Sequence, residues 1–152
     1  MTFRSLLFVF LLLLCQCAFS DENYSNPDQL LNKTLHLPQD MALAEVQHIN
    51  PLDYNGYWVL SFPQKGYVNN YINHMMPTLA AFNANPPAWQ KWEGNLLTGW
   101  SRLVGVLETG TTFHVIEVLR KLNAPGYWVT IEIESGQYKG KTAMVANYQN
   151  LS

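Results

Sequence analysis

The stretch FHVIEVLRKLNAPGYWVTIEIESGQYKGKTAMV, residues 113–145, decides the fold class. Its central segment, residues 127–134, alternates strictly between two sets of side chains. One set is Tyr127, Val129, Ile131 and Ile133, and the other is Trp128, Thr130, Glu132 and Glu134. Successive side chains of a strand point to opposite faces, so this pattern predicts a half-buried antiparallel strand. The whole stretch predicts three short strands joined by two turns.

The amino-terminal segment, residues 1–20, has the pattern of a secretory signal peptide. Arg4 precedes a run without polar residues, residues 6–14, and small residues lie at Ala18 and Ser20. This order of charge, short apolar run and small residues is typical of signal peptides, and it predicts cleavage after Ser20. The run is much shorter than the roughly 20 residues that span a bilayer. We therefore expect an exported protein, periplasmic or extracellular, without a transmembrane segment after cleavage; the alternative is a short anchor that is not cleaved.

Both cysteines of the chain, Cys15 and Cys17, lie inside the predicted signal peptide. Cleavage after Ser20 would leave a chain without a disulfide, a thiolate nucleophile or a cysteine metal site. An exported domain without disulfides is more typical of a bacterial envelope than of a disulfide-rich secretome. Lipid attachment at Cys15 or Cys17 is the alternative, although Leu14 and Gln16 are not the small residue that lipoprotein signals place before the cysteine.

The charge distribution excludes two classes of partner. Without Arg4 the chain has eight basic and eleven acidic residues, and no run of four basic residues occurs anywhere. Nucleic acids and anionic lipids both require clustered Lys or Arg, so neither is an expected partner.

The remaining chain divides into four segments by composition. Residues 21–34 are polar and predict a flexible leader, and residues 35–72 predict a β meander with an Asn55-Gly56 turn. Within this meander, residues 41–49 fit a strand or a short helix, and we favour the strand. Residues 73–95 predict an ordered connector rich in Pro and Trp, in which Pro86-Pro87 should prevent regular structure. Residues 96–152 predict a second meander.

The two meanders share a short motif. Gly56-Tyr57-Trp58-Val59 in the first meander returns as Gly126-Tyr127-Trp128-Val129 in the second. Duplication of a strand-turn-strand unit of about 40 residues would explain the repeat. The alternative is convergence on four residues that suit a strand.

The second meander resembles the bacterial SH3-like domain family. The resemblance rests on a Leu107-Glu108-Thr109-Gly110-Thr111 turn, a following valine-containing strand, the Gly126-Tyr127-Trp128-Val129 strand, and the glycines Gly136 and Gly140. Lys141-Thr142 after Gly140 departs from the aromatic residue and valine of the family. The resemblance implies a mainly β protein with a small SH3-like barrel at its carboxyl-terminal end, preceded by a related meander or second barrel. It also implies binding of cell-wall peptide or protein rather than catalysis.

No pattern of residues predicts an enzyme, a cofactor or a metal site. The four histidines, His36, His48, His74 and His114, lie in no recognisable catalytic motif. A copper site at His74-Met75-Met76 and a glycosidase pair at Glu132 and Glu134 are the chemical alternatives. We favour exposed connector residues over the copper site, because the spacing of histidine and methionine does not repeat. We favour a solvated strand face over the glycosidase pair, because no sign of burial would raise the pKa of either glutamate.

The aromatic residues are the main functional signal. Trp128 falls on the polar side of its strand, where an exposed indole can bind a peptide, a glycan or a partner protein. We therefore expect a non-catalytic binding protein of the cell envelope that recognises cell-wall peptide or an envelope protein. Its ligand site would be an aromatic groove formed by Trp128, Tyr138, Thr130 and Glu132. The alternative is a periplasmic inhibitor or immunity-type protein that plugs an enzyme and uses residues 73–95 as an inserted loop.

Overall fold

The computed structural model describes residues 27–50, 54–69, 72, 74–121 and 127–145. These residues form a 3-10 helix, Pro27–Leu30, ten strands and two short α-helices. The strands are β1 (Thr34–His36), β2 (Met41–Gln47), β3 (Gly56–Ser61), β4 (Tyr67–Asn69), β5 (His74–Met76), β6 (Glu93–Asn95), β7 (Gly99–Leu107), β8 (Thr112–Arg120), β9 (Tyr127–Ile133) and β10 (Thr142–Val145); the helices are α1 (Leu79–Ala84) and α2 (Pro86–Trp89). The mainly β class is confirmed. The predicted signal peptide and residues 21–26 of the predicted leader lie outside the described residues.

Eight of the strands form one sheet, in the order β1-β8-β9-β10-β3-β2-β7-β6, and β4 pairs with β5 in a separate hairpin. All neighbouring strands of the large sheet are antiparallel except β10 and β3, which are parallel. The strand predicted for residues 127–134 is present as β9, and residues 41–49 contain the favoured strand, β2.

The first hydrophobic cluster covers one face of the large sheet. Val129, Ile131 and Ile133 of β9 are buried here, as their alternation predicts. Leu30 of the 3-10 helix and Leu37, which follows β1, join the same cluster. The remaining buried members come from the neighbouring strands and one turn: Met41, Leu43, Val59, Leu107, Phe113, Val115, Tyr138, Ala143 and Val145.

The second cluster lies on the opposite face and is covered by residues from 67–89. Ile72, Met76 of β5 and Phe82 of α1 pack onto β2, β3 and β7. Two members of the cluster on β2, Ala42 and Ala44, have side chains small enough for these segments to approach the strand closely. We call the hairpin β4–β5, Ile72, α1 and α2 together the cover. Part of the segment predicted as a connector therefore closes a core.

The two helices of the cover begin at residues that suit helix starts. Thr78 caps α1, because its hydroxyl oxygen accepts a hydrogen bond of 3.1 Å from the backbone N–H of Ala81. Helix α2 begins at Pro86, so the prediction that Pro86-Pro87 prevents regular structure is wrong. Proline is tolerated in the first helical turn because the backbone N–H groups there have no partner within the helix.

The small SH3-like barrel implied by the resemblance is not confirmed. The strands assigned to it, β7 to β10, lie in the same sheet as β2 and β3 of the first meander, and the described strands form no closed barrel. The physical reason is the pairing of β10 with β3, which inserts the first meander between β10 and β7. No helix in the described part of the chain is both long and apolar enough to cross a bilayer.

The ring of Tyr138 lies against the backbone of Gly105, where a methyl group would overlap the tyrosine hydroxyl. We expect Gly105→Ala to lower the free energy of unfolding by about 1–3 kcal/mol, the usual cost of overpacking a core. Chemical denaturation measures this change.

Tyr138→Phe is the matched control, because the tyrosine hydroxyl lies 3.5 Å from the carbonyl oxygen of Val104 and makes only a weak contact. The double variant should recover part of the lost stability, giving a coupling energy between the two sites. If Gly105→Ala lowered the free energy of unfolding equally in the wild type and in Tyr138→Phe, the proposed contact between the new methyl group and the tyrosine hydroxyl would be contradicted.

Candidate functional site

Three of the four predicted ligand residues lie on one face of β9. Trp128, Thr130 and Glu132 alternate with the buried residues of the first cluster and therefore point to the opposite face. Tyr138 lies in the turn between β9 and β10, is only 9% exposed and belongs to the first cluster. The structure therefore brings Trp128, Thr130 and Glu132 together and places Tyr138 in the core of the other face.

Trp128 is half-buried beside two other aromatic rings. Its ring meets that of Trp58 edge to face, with 5.6 Å between the centroids, and Tyr54 meets Trp58 in the same manner at 5.9 Å. Such edge-to-face pairs contribute roughly 0.5–1.5 kcal/mol beyond the burial of area. The Nζ atom of Lys121 lies 4.1 Å from the centre of the Trp128 ring, which is within cation–π range.

The polar neighbours of Trp128 come from β8. A register shift between Val115 and Glu117 places Glu117 opposite Thr130 and Leu119 opposite Trp128. The hydroxyl of Thr130 donates a hydrogen bond of 3.2 Å to Oε2 of Glu117. Residues directly opposite on antiparallel strands share a face, so Glu117 and Leu119 lie beside the indole. Both of them are exposed.

We call the surface formed by these six residues the aromatic shelf: Tyr54, Trp58, Glu117, Leu119, Lys121 and Trp128. Burial raises the pKa of the Tyr54 hydroxyl, and the negative charge of Glu117 raises this pKa further. The phenol therefore stays protonated and remains a hydrogen-bond donor at neutral pH. The shelf thus presents the half-buried Trp128 ring and the exposed Leu119, together with one cationic side chain, one anionic side chain and a phenol, and the buried Trp58 packs edge to face against Trp128.

Three of the described histidines contact threonine oxygen atoms. His36 and His114 each lie 3.3 Å from a threonine hydroxyl, and Nδ1 of His48 lies 3.1 Å from the carbonyl oxygen of Thr98. Glu132 is exposed opposite His114 on the sheet. Within the described ranges, no three His, Cys, Asp or Glu side chains are placed to hold a metal ion.

His74 of β5 is fully buried where the cover meets the sheet, so the expectation of a surface residue at this position is wrong. Its Nδ1 atom lies 3.4 Å from Oε2 of the half-exposed Glu93. Burial holds the pKa of His74 below its ordinary value, and the negative charge of Glu93 offsets only part of this effect. Met75, the next residue, is 41% exposed and points the opposite way, so these two residues do not converge on a copper ion.

We expect the stability of the protein to decrease when the pH falls below about 6.5, the ordinary pKa of histidine. Above this pH, His74 is neutral in the folded and unfolded chains, and its contribution to stability is complete. Below it, the unfolded chain binds a proton that buried His74 resists, so the free energy of unfolding decreases and levels off below the folded pKa.

Denaturation between pH 5 and pH 8 measures this dependence, and His74→Leu should flatten it while keeping the position apolar. His36→Gln, a change at an exposed histidine, is the control for the loss of an imidazole at another position. If the free energy of unfolding of His74→Leu changed with pH as it does in the wild type, a group other than His74 would be responsible.

A second surface was not predicted from the sequence. Leu96 and Leu97, in the turn between β6 and β7, are 80% and 91% exposed, and Trp92 and Trp100 flank this hairpin with more than a third of their surface exposed. The available signal was the pair of leucines between Asn95 and Thr98-Gly99, since turns normally carry polar residues.

Comparisons with protein-family models, with curated proteins and with solved structures find no match. The function must therefore be argued from the geometry of the described residues.

Proposed function

We propose that this chain is an exported, non-catalytic binding protein of the cell envelope, and that it recognises cell-wall peptide on the aromatic shelf. The observation that carries the proposal is the position of Trp128. It is half-buried, it is supported by Trp58 along an edge, and it has a cation, an anion and an exposed leucine as neighbours. Such a ring can support a ligand without reorganising, because its contact with Trp58 already orders it.

The charges of the shelf support a peptide rather than a plain sugar as ligand. Cell-wall peptides carry both carboxylate and amine groups. Lys121 offers an ammonium group to a carboxylate, and Glu117 offers a carboxylate to an amine. Glu132, exposed two residues further along β9 from Thr130, provides a second acceptor. The apolar part of a peptide side chain would lie across Trp128 and Leu119, where its burial contributes most of the affinity.

Of the four residues expected from the sequence, the proposal keeps Trp128 and Glu132 as ligand contacts and leaves out Tyr138 and Thr130, which are 9% and 8% exposed. The buried ring of Tyr138 lies against Gly105 in the first cluster, so a structural role explains it. An envelope protein that offers a segment of similar chemistry would use the same shelf.

The inhibitor alternative has less support. Residues 73–95 as an inserted loop would fit it, but Met76 and Phe82 in this range are buried against the sheet.

Retention on purified peptidoglycan tests the proposal. We expect Trp128→Ala to weaken retention about tenfold or more, in line with the loss of an aromatic contact together with its cation–π partner. Because Trp128 also packs on Trp58, the fold of this variant must be checked by circular dichroism and thermal unfolding.

Leu119→Ser provides a second variant that changes the shelf without touching the Trp58 contact, and it should weaken retention as well. Trp100→Ala removes a partly exposed indole from another part of the sheet and is the matched control, which should bind as the wild type does. Unchanged retention in folded Trp128→Ala, or no retention of the wild type, would disprove binding of the cell wall at this surface.

A further inference from the structure

The tip of the hairpin β6–β7 carries the two most exposed large hydrophobic side chains of the described residues, Leu96 at 80% and Leu97 at 91%. An isolated exposed leucine is common, but an adjacent pair at the end of a hairpin is not explained by the fold. Neither residue belongs to a hydrophobic cluster. The tip therefore has no role in stabilising the described core.

Hydrogen bonds hold the tip in this conformation. The side-chain oxygen of Asn95 accepts hydrogen bonds from the backbone N–H groups of Leu97, at 2.9 Å, and Thr98, at 3.0 Å. Gly99 has φ of 111° and lies against the backbone of Gln47 and His48, which joins the base of the hairpin to β2. The leucines are thus presented by an ordered turn, and their insertion into an apolar phase needs little further ordering of the backbone.

Two tryptophans lie behind the leucines. Trp100 pairs with Gly94 across the hairpin, and Trp92 directly precedes β6; they are 38% and 37% exposed. Trp100 is the second residue of β7, and Leu96 and Leu97 lie in the turn beyond the Asn95–Gly99 pair, so the leucines are farther out along the hairpin than Trp100. A segment that lies in a membrane interface buries its apolar side chains about 5–10 Å deep, and tryptophan prefers the level of the headgroups. The order of the residues along the hairpin, with leucines at the tip and tryptophans nearer its base, matches the order of these two membrane depths.

The charges near the tip are balanced. Arg102 lies over the ring of Trp92, with its Cζ atom 5.0 Å from the ring centre, and its Nη2 atom lies 2.6 Å from Oε2 of Glu45. Lys91 and Glu93, on either side of Trp92, carry opposite charges. No excess of basic charge favours anionic headgroups, so a neutral, zwitterionic surface fits these residues better.

We propose that the β6–β7 tip inserts Leu96 and Leu97 into the surface of a zwitterionic phospholipid bilayer, with Trp92 and Trp100 at headgroup level. Burial of a leucine side chain changes a binding constant by roughly ten- to a hundredfold. Two leucines thus give reversible attachment, comparable with that of a single acyl chain. The alternative partner is a pocket on another protein. The residues that dominate protein interfaces are Trp, Tyr and Arg, whereas the most exposed residues of this tip are leucines, so the bilayer is favoured.

Sedimentation with phosphatidylcholine vesicles tests the proposal. The wild-type chain should bind, and Leu96→Ser/Leu97→Ser should weaken binding at least a hundredfold, since two buried leucines are lost. All variants must share the same measured amino terminus, so that the apolar residues 1–14 cannot account for a difference. The tryptophan emission of the wild type should shift to shorter wavelength with vesicles, and that of the double variant should not.

Leu31→Ser/Ile116→Ser is the matched control, because it removes two exposed apolar side chains from other parts of the molecule. It should bind vesicles as the wild type does, and so should Trp128→Ala, which separates lipid binding from the aromatic shelf. Three results would overturn the proposal: no vesicle binding by the folded wild type, binding that requires anionic lipid, or equal binding by the tip variant and the wild type. Capture of a protein through the tip, without vesicle binding, would assign the tip to a protein pocket instead.

Discussion

The short strand β10 holds the two halves of the chain in one sheet. It pairs with β9 in the antiparallel direction and with β3 in the parallel direction. Ala143 and Val145 are buried in the first cluster and Met144 in the second, so the strand is covered on both faces. Parallel pairing requires a long connection between the two strands, and here the chain between β3 and β10 contains four further strands of the sheet, β6 to β9, and the cover.

The repeated Tyr-Trp-Val motif lies in the two strands that flank β10. The two motifs run in opposite directions, but Met144 is opposite both Trp58 and Thr130, and Thr130 shares a face with Trp128. Trp58 and Trp128 therefore point to one face and meet edge to face. The repeat thus has a structural consequence whether it arose by duplication or by convergence.

The extent of the cover explains where an aromatic shelf can exist. The buried residues of the cover pack onto β2, β3 and β7, whereas Glu117 and Leu119 of β8 and Glu132 of β9, on the same face of the sheet, are exposed. Trp128 packs against the second cluster without being part of its buried core, so its ring is half-buried. The hairpin tip belongs to β6 and β7, at the other end of the strand order. A chain attached to a bilayer through its tip would keep the proposed peptide surface on a different part of the sheet.

The alternation of residues 127–133 was sufficient to predict β9 and its two faces, because a period of two is a local property of a strand. Local patterns also predicted the strand in residues 41–49. They did not predict helix α2, because a proline pair can either break a helix or begin one, and the position along the helix decides which.

The sequence by itself therefore determined the mainly β class, the strand faces and the aromatic character of the chain. Only the tertiary structure decided which strands pair and which side chains are buried. The parallel pairing of β3 with β10 replaced the expected small barrel by a wide sheet, and it joins residues more than 80 positions apart. Tyr138 was placed in the core and Leu96 and Leu97 at an exposed tip by the packing of distant segments. Burial depends on which segments cover a side chain, and this information is not contained in the local pattern around it.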